Sequence, residues 1–471
     1  MVLNLAIKPG WILVENLVQN RLGHAAFGTF SALYALALVA ASVSDLGLTQ
    51  HTTRRVAAEP GFLPDFFPTL LPLKGGLSGL FLGLMLVVGW GLGYRGAALG
   101  WLALIGASLL LTQYAQFLRG PIQGQQRFGL DAGLSVLEKA LLLGLVLALV
   151  PTGWLSLGTY VGARVAAAAL TCAVFSVVVA RLLGGWVRPR LVPQAARGLL
   201  REALPLALIT LLYGLNERVD MVMIERLAGA REAGLYAGAY RWTDAAMMYL
   251  WTVLPLFFAR FAHADSTDPA VRTQLLSVGQ RIAAAPLLLV VAGVLMRGEV
   301  LFWQFSSSTP AELARMTLCL QLLFLNVLVH AFFAIYSTLL TSTNMERPVS
   351  RLVAVSIGLN VLLNLLLLPR FGAVAGAANT LGCAALVSGG YVWLVARRTG
   401  IVVPWEHLAR LGGVFGLTVG GWYWLKIIAD NWLLECALML PIFSILLLGC
   451  GVVRVSELRM LKTPMREEEH D

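Results

Sequence analysis

The sequence predicts an all-α polytopic membrane protein with about 14 transmembrane helices. Hydrophobic residues make up 58% of the 471 residues and charged residues only 13%, which is more apolar surface than a soluble chain can bury. The apolar residues fall into fourteen segments, each long enough to cross a ~30 Å hydrocarbon core as a helix. The second half of the chain also repeats short motifs of the first half.

The fourteen apolar segments follow one another with short connections. They cover 1–21, 25–47, 66–93, 97–118, 129–151, 154–182, 203–227, 232–260, 281–303, 313–341, 350–369, 371–396, 407–428 and 431–453. The longest connections, 183–202 and 261–280, are too short to form an independent soluble domain.

Two pairs of motifs recur at a nearly constant spacing. The stretch 21–30 opens the second segment and 226–236 opens the eighth, with an offset of 205 at the arginines and 206 at the glycines. The stretch 124–127 precedes the fifth segment and 344–347 precedes the eleventh, at an offset of 220. Six spans separate the members of each pair, so both halves have the same orientation in the membrane.

This repeat predicts three regions. Residues 1–200 form an N-lobe of helices 1–6, and residues 201–400 form a C-lobe of helices 7–12. Residues 401–471 add helices 13 and 14 and a tail.

Basic residues predict the orientation. If Met1 starts in the cytoplasm, the inward loops and tail hold 21 arginines and lysines and the outward loops hold 7. This bias places both termini in the cytoplasm. It also explains the net charge of +10 without nucleic acid as a partner, because the basic residues are spread over short loops.

The first segment carries a narrow polar stripe. Asn4, Lys8, Glu15 and Gln19 fall within about 60° of one another on a helix, and Pro9-Gly10 is expected to bend it. We interpret the segment as a cavity-lining helix in which Lys8 meets an anionic headgroup. The alternative is that Lys8 snorkels to the inner interface.

The seventh segment contains the charged run Asn216, Glu217, Arg218 and Asp220. Ionised groups at this depth are expected to face a bundle interior or a water-filled cavity. Arg218 is assigned to a phosphate or sugar, and Asp220 to a coupling cation or a charge partner. The alternative is a polar network that only joins helices.

The eighth segment opens with Arg241 and Asp244, which are i,i+3 neighbours and can form a pair. A role in the cavity is predicted because this helix follows the seventh segment. The tyrosines and tryptophan beside them are also typical of a membrane-interface belt.

Weaker candidates occupy other segments, where interhelical pairing is the alternative to a ligand role. These are Arg164, Asn326, His330, Asn360 and Asn364. His330 could titrate in a proton relay. Lys74, near the inner end of the third segment, is expected to snorkel.

The sequence gives no sign of catalytic chemistry. The five cysteines lie in apolar runs without a CxxC or Cys/His pattern, and no GxxxxGK[ST] phosphate loop occurs. We therefore expect no metal, no cofactor and no ATP hydrolysis, and we expect that the protein is not an enzyme.

Five stretches carry a resemblance to a known family: 21–30, 45–48, 54–55, 217–220 and 234–241. On these stretches, and in its 6+6+2 layout, the chain resembles the polysaccharide flippases (Wzx-type) of the multidrug/oligosaccharidyl-lipid/polysaccharide (MOP) exporter superfamily. The resemblance implies two six-helix lobes around a central cavity lined by the first two helices of each lobe.

The resemblance also implies a function. The family exports a lipid-linked oligosaccharide, on an undecaprenyl diphosphate-type carrier, across the bacterial plasma membrane for cell-surface polysaccharide such as O-antigen or exopolysaccharide. Partners are then the lipid-linked substrate, the bilayer and polysaccharide polymerase machinery. Transport without ATP needs an ion gradient, the membrane potential or downstream consumption. A coupling cation, proton or sodium, could act through Glu15, Asp220 or Asp244.

Three alternatives stay open. A lipid II flippase for peptidoglycan also has fourteen spans and a cationic cavity. A multidrug exporter often carries organic cations, against which Lys8, Arg218 and Arg241 argue. A polysaccharide polymerase or ligase is disfavoured because the outward loops are short and the chain repeats.

Overall fold

The computed structural model confirms an all-α polytopic protein. It describes residues 2–59, 62–186, 188–190, 214–262, 269–343, 345–399, 401, 403–429 and 431–452. Within these ranges the chain forms helices and no strand.

The helices are numbered in chain order. They are α1 Val2–Leu22, α2 His24–Asp45, α3 Leu48–Ala58, α4 Phe62–Gly91, α5 Ala97–Gly124, α6 Phe128–Thr152, α7 Leu157–Leu182, α8 214–227, α9 Ala230–Ala262, α10 Pro269–Arg297, α11 Pro310–Ser342, α12 Glu346–Phe371, α13 Ala373–Arg398, α14 Trp405–Ala429 and α15 Trp432–Gly449. A short 3₁₀ turn, Gly298–Phe302, follows α10.

Twelve of the described helices are long and apolar enough to cross a membrane: α2, α4 to α7 and α9 to α15. Each corresponds to one predicted segment. The first predicted segment is helical as α1. The seventh is represented by α8, and the rest of that segment lies outside the described residues.

The structure adds one helix, α3, to the predicted order. The stretch after the second segment was expected to be a connection, but Leu46 and Gly47 adopt left-handed backbone conformations with φ of 44° and 77°. They end α2 and turn the chain into α3. The Asp45 carboxylate accepts hydrogen bonds from the Thr49 hydroxyl at 2.7 Å and the Thr49 backbone nitrogen at 3.4 Å. Asp45, the last residue of α2, therefore joins the end of α2 to the first turn of α3.

Helix α3 is held by two glycines of α5. A Cβ atom on Gly120 would lie 3.2 Å from Thr52 Cβ, and one on Gly124 would lie 2.6 Å from Val56 Cβ. The buried side chains of α3 therefore rest directly on the α5 backbone, and Arg54 and Arg55 remain exposed on the other side.

The expectation that Lys74 snorkels was wrong. Lys74 is fully buried, and its Nζ atom donates hydrogen bonds to the Ser44 carbonyl at 2.8 Å and the Asp45 carboxylate at 3.0 Å. It also lies 5.8 Å from the centre of the Phe117 ring. The end of α2 supplies a counter-charge within reach, so the lysine need not extend to water.

The chain divides into two compact units. Unit 1 comprises Met1–Gly238, Gln304–Thr309 and Val361–Gly376. Unit 2 comprises Ala239–Trp303, Pro310–Asn360 and Ala377–Asp471. The predicted division into lobes at 200 and 400 stays a prediction.

Within unit 2, a buried charge joins the last two helices to α10. Glu435 on α15 is fully buried. It accepts hydrogen bonds from Arg297 Nη2 at 2.6 Å and Trp422 Nε1 at 3.0 Å. Helices α14 and α15 are thus anchored on α10 by a satisfied buried ion pair.

Candidate functional site

A packed layer in unit 1 surrounds the connection between α1 and α2. Gln19 is fully buried, and its Nε2 donates to the Gly234 carbonyl oxygen at 2.6 Å. The same atom lies 3.0 Å from His24 Nδ1, and His24 Nε2 lies 2.7 Å from Ser308 Oγ. The residues Gln19, His24, Gly28, Gly234 and Ser308 are called the connection layer below.

Two glycines let helix backbones touch in this layer. A Cβ atom on Gly28 would overlap the Ala230 carbonyl oxygen and lie 2.5 Å from the Gly234 nitrogen. A Cβ atom on Gly234 would overlap the His24 carbonyl oxygen. Neither position has room for a side chain, so these glycines of the repeated motifs are required by the close approach of α2 and α9.

A polar cluster holds the α4–α5 connection against the end of α8. The Tyr94 hydroxyl donates to Glu225 at 2.9 Å, and Arg226 Nε donates to the same carboxylate at 2.6 Å. The Arg226 guanidinium lies 4.0 Å from the Tyr94 ring centre. Burial and the neighbouring Glu225 carboxylate raise the pKa of the Tyr94 phenol above its usual value of 10.0.

A second cluster in unit 1 surrounds Arg164 of α7 with aromatic rings. The guanidinium carbon lies 4.6 Å from the ring centre of Tyr34, 5.4 Å from Phe30, 5.8 Å from Tyr160 and 6.0 Å from Trp11. These five residues are called the arginine cluster. Such ring faces stabilise a cation in a low-dielectric site.

Among the described residues, Arg164 uses few of its hydrogen-bond donors. Arg164 Nη1 donates to the Tyr160 hydroxyl at 3.1 Å. Its Nε is buried and has no hydrogen-bond partner among the described residues. A guanidinium has five N–H donors, so the cluster can accept an anionic or hydroxyl-bearing ligand.

Glu15 of α1 lies beside the cluster, one turn from Trp11. It lies on the face of α1 that carries Trp11. Trp11, Glu15 and Tyr34 are half-buried. Phe30 and Tyr160 are buried, so they close the back of the cluster. Along α1 and α2 the cluster lies about 10 Å from the connection layer.

The structure therefore brings together three of the predicted site residues in unit 1, namely Glu15, Gln19 and Arg164. Arg164 lies at the centre of the arginine cluster, Glu15 lies one turn along α1 from Trp11 of that cluster, and Gln19 lies in the connection layer one turn further along α1. The side chain of Lys8 lies outside the described part of the structure.

The charged run of α8 divides by burial. Asn216 and Glu217 are exposed and Arg218 is half-buried. Asp220 is buried and accepts a hydrogen bond from Asn364 Nδ2 at 2.6 Å. Two residues that were predicted separately, Asp220 and Asn364, thus form one polar contact.

The remaining predicted residues lie in unit 2. Arg241, Asn326 and Asn360 are buried, and Asp244 and His330 are half-buried. Asn326 Oδ1 has no hydrogen-bond partner among the described residues.

Sequence reasoning missed the aromatic residues of the arginine cluster. A signal was present, because three helices each carry an i,i+4 pair that points to one face. The pairs are Trp11/Glu15, Phe30/Tyr34 and Tyr160/Arg164. Periodicity cannot tell which helices meet, so the pairs could not be assigned to one site.

The part of the chain that the structure describes contains no group of three or more His, Cys, Asp or Glu side chains that could hold a metal ion.

The structure is that of a polytopic membrane protein with twelve candidate spans. One of these spans, α7, carries an arginine that is surrounded by aromatic rings. The family model described as "Polysaccharide biosynthesis protein" matches residues 11–257, more than half of the chain. The chain belongs to this family. Comparison with curated protein sequences gave no match.

Solved structures of MOP-superfamily transporters share the fold. "Lipid II flippase MurJ, inward closed conformation" is 10% identical with a TM-score of 0.73, and the match covers 96% of this chain and 99% of that chain. An inward-facing multidrug resistance MATE family transporter is 16% identical with a TM-score of 0.65, covering 84% and 97%. A MOP superfamily transporter from Pyrococcus furiosus Vc1 (DSM3638) is 16% identical with a TM-score of 0.59, covering 84% and 93%.

The family confirms the predicted link to polysaccharide biosynthesis, and the chain shares the fold of solved MOP-superfamily transporters. At these identities the structural likeness shows the shared fold. The substrate and mechanism have to be argued from this chain's own residues.

Proposed function

We propose that the protein flips a lipid-linked oligosaccharide, on an undecaprenyl diphosphate-type carrier, from the inner to the outer leaflet of the bacterial plasma membrane. The transferred unit serves cell-surface polysaccharide biosynthesis. The observation that carries this proposal is the arginine cluster, which supplies unused guanidinium donors and aromatic faces inside the spans of a polysaccharide biosynthesis protein.

A diphosphate-linked sugar cannot cross hydrocarbon unaided, because its charges and hydroxyl groups would lose water without gaining partners. Arg164 can replace water at a phosphate, since a guanidinium binds phosphate oxygens with two parallel hydrogen bonds. The Trp11 and Tyr34 rings, on the open side of the cluster, offer apolar faces for a sugar ring. The polyprenyl tail can remain in the lipid.

The other predicted residues extend this proposal. Lys8, Arg218 and Arg241 add positive charge for the headgroup, and Gln19 adds an amide. Asp220 and Asp244 are candidates for a coupling cation or for charge balance. An inside-negative potential assists the export of an anion by about 2.3 kcal/mol per charge per 100 mV, so ATP hydrolysis is not required.

Orientation gives the connection layer a role in alternating access. If both termini are cytoplasmic, the α1–α2 connection faces the outside. The backbone contact of Gly28 with Gly234 then closes unit 1 on its outer side, and release of the substrate requires this contact to open.

The test is transfer in reconstituted vesicles. Vesicles would carry a fluorescently labelled polyprenyl diphosphate saccharide, and dithionite added outside would report the fraction in the outer leaflet. We expect protein-dependent transfer without ATP, and no uptake of the cation ethidium. An absolute requirement for ATP in pure protein, or transport of ethidium alone, would contradict the proposal.

A second candidate is supported by one observation. The match to the lipid II flippase structure spans 96% of this chain, and lipid II carries the same diphosphate-polyprenyl group. Labelled lipid II in the same vesicles separates the two functions, since the proposed function predicts faster transfer of the non-peptidyl saccharide.

A further inference from the structure

The chain leaves α7 through residues 184–186 and 188–190, which are fixed to other parts of unit 1. Gly184 adopts a left-handed backbone conformation with φ of 75°, and the Gly185 backbone nitrogen donates to the Ala180 carbonyl oxygen at 2.9 Å. These features end α7 with a glycine cap. The Arg190 backbone nitrogen then donates to the Pro68 carbonyl oxygen of α4 at 3.0 Å. Main-chain hydrogen bonds therefore hold this stretch at its start and at its end.

The contact with α4 uses a carbonyl oxygen that the helix itself cannot use. Within an α-helix, the carbonyl of residue 68 accepts from the nitrogen of residue 72. In α4 both positions are prolines, and Pro72 has no N–H to donate. The Arg190 N–H supplies the missing donor to Pro68, which is a buried residue. An unpaired carbonyl would be costly there, so this contact fixes the stretch after α7 against α4.

The same stretch presents positive charge and an aromatic ring on the surface. Trp186 is 75% exposed, and the side chains of Arg181, Arg188 and Arg190 are exposed. None of these three arginines forms an ion pair with a described residue. The four residues are called the α7 edge below.

Each acidic side chain that the structure describes at this end of unit 1 already has a basic partner. The ion pairs are Lys74–Asp45 at 3.0 Å, Arg55–Glu59 at 2.8 Å and Arg119–Asp131 at 2.6 Å. The described acidic groups therefore do not neutralise the α7 edge, and its guanidinium groups are available to an anion from outside the chain.

Two features distinguish the α7 edge from a general excess of basic residues in the loops, which determines only the orientation of the chain. The main-chain contact with α4 presents the arginines at a fixed place, which lowers the entropy cost of binding. Trp186 follows the end of the candidate span Leu157–Leu182, where tryptophan lies in the headgroup region of a bilayer. The partner that fits both features is a charged lipid headgroup.

We propose that the α7 edge binds the headgroup of an anionic phospholipid in the inner leaflet. If both termini are cytoplasmic, this end of unit 1 faces that leaflet, whose surface is negatively charged. Guanidinium groups bind phosphate oxygens through charge-assisted hydrogen bonds, while the acyl chains remain in the bilayer. The bound lipid holds the start of the longest connection, 183–202, at the membrane surface. The inference does not depend on which lipid-linked molecule is transported.

The first experiment measures which lipid lies beside Trp186. Trp154, before the start of α7, is the matched control because it is 76% exposed. Trp186→Cys and Trp154→Cys, each in a protein without native cysteines, would carry a fluorophore that brominated lipids quench. The vesicles would contain phosphatidylcholine and a minor fraction of phosphatidylglycerol, with one of the two brominated. Quenching by brominated phosphatidylcholine corrects for the depth of each fluorophore. We expect phosphatidylglycerol to be enriched at least about fivefold at position 186, as one basic residue near an anionic surface requires, and not at position 154.

The second experiment measures the strength of binding. Phosphatidylglycerol would be titrated into the purified protein in dodecyl maltoside, and the rise in melting temperature would report binding. Each arginine contributes about fivefold in affinity, so Arg188→Gln/Arg190→Gln should bind about 25-fold more weakly than the wild-type protein. Arg347→Gln/Arg351→Gln is the matched control, because it removes two exposed arginines from the same predicted side of the membrane. We expect this control to bind as the wild-type protein does.

The main-chain contact allows a further comparison. Arg190→Gln and Arg190→Pro remove the same charge, but proline also removes the N–H that binds the Pro68 carbonyl oxygen. We expect Arg190→Pro to bind phosphatidylglycerol more weakly than Arg190→Gln. Equal binding by these two variants would contradict the role of the fixed stretch.

Three other results would overturn the inference. Equal enrichment of phosphatidylglycerol at positions 186 and 154 would show an ordinary interface residue. Equal losses in the two double variants would show that arginines anywhere on this side act alike. Stabilisation of the wild-type protein by inorganic phosphate to the same extent would show binding of a soluble anion. The fluorophore comparison keeps all arginines, so it decides even if Arg188→Gln/Arg190→Gln does not fold. Neither experiment measures flipping, so a failure of the proposed function leaves this inference in place.

Discussion

Replacing Gly28 by alanine should separate α2 from α9. The added Cβ atom would lie 2.5 Å from the Gly234 nitrogen and would overlap the Ala230 carbonyl oxygen. Both obstacles are backbone atoms, which cannot move aside like a flexible side chain. Ordinary contact begins at 3.4 Å, so the helices must move apart by more than about 1 Å.

The expected cost follows from two interactions. Overpacking of a tight contact costs about 1–3 kcal/mol, and loss of the Gln19–Gly234 hydrogen bond leaves a buried polar group at about 1–3 kcal/mol. Alanine regains up to about 1 kcal/mol of helix propensity over glycine. A net destabilisation of the closed layer by about 3 kcal/mol changes its population ratio by roughly 100-fold.

Accessibility of a buried cysteine would measure this change. Ala37 on α2 is fully buried. The substitution Ala37→Cys would be made in a protein from which the native cysteines have been removed. A membrane-impermeant maleimide would then be added on the side of the membrane that the connection layer faces. We expect Gly28→Ala to raise the labelling rate by up to about 100-fold. Gly144→Ala is the matched control, since a Cβ atom there meets nothing within 4 Å. Equal labelling of the two alanine variants would refute the reasoning.

Three further predictions concern buried polar contacts. Asp45→Asn leaves Lys74 buried without a counter-charge and should lower the free energy of unfolding by about 3–5 kcal/mol, as measured by thermal unfolding in detergent. The additional substitution Lys74→Met should recover part of this stability. Unchanged stability of Asp45→Asn, or no recovery in the double variant, would contradict this prediction. Glu435→Gln should weaken the interaction of α15 with Arg297 by about 1.5–3 kcal/mol. Proteolysis of the connection after α14 should then be faster than in the wild-type protein. Unchanged proteolysis would show that this interaction does not fix α15 in place. The pKa of Tyr94 is raised in the folded protein, so Tyr94 keeps its proton above pH 10, where the unfolded chain loses it. The contribution of Tyr94 to the free energy of unfolding therefore falls as the pH rises above 10. Tyr94→Phe should therefore show a shallower loss of melting temperature between pH 9 and 11 than wild type, and parallel curves would contradict the assignment.

The spans could be predicted from the sequence because their signal is local. A run of about 20 apolar residues requires no knowledge of its neighbours. The polar stripe of the first segment is local in the same way: Gln19 lies in the connection layer, and Glu15 lies one turn from Trp11 of the arginine cluster.

Contacts between distant helices could not be predicted. Lys74 is satisfied by Asp45, which lies 29 positions earlier on another helix. Arg164 was a secondary candidate because no sequence pattern shows that α1, α2 and α7 meet around it. Helix α3 was missed because it is only 11 residues long, with an apolar face too narrow to resemble a span.

The role of Arg164 in moving the headgroup is tested most directly by the transfer rate of a labelled polyprenyl diphosphate saccharide in ATP-free vesicles. Wild type and Arg164→Gln would be compared at equal reconstituted protein. Loss of hydrogen bonds to a charged group costs about 1.5–3 kcal/mol, so the variant should transfer roughly 10- to 150-fold more slowly, and Arg164→Lys should fall between them. Equal rates for wild type and Arg164→Gln would contradict the account.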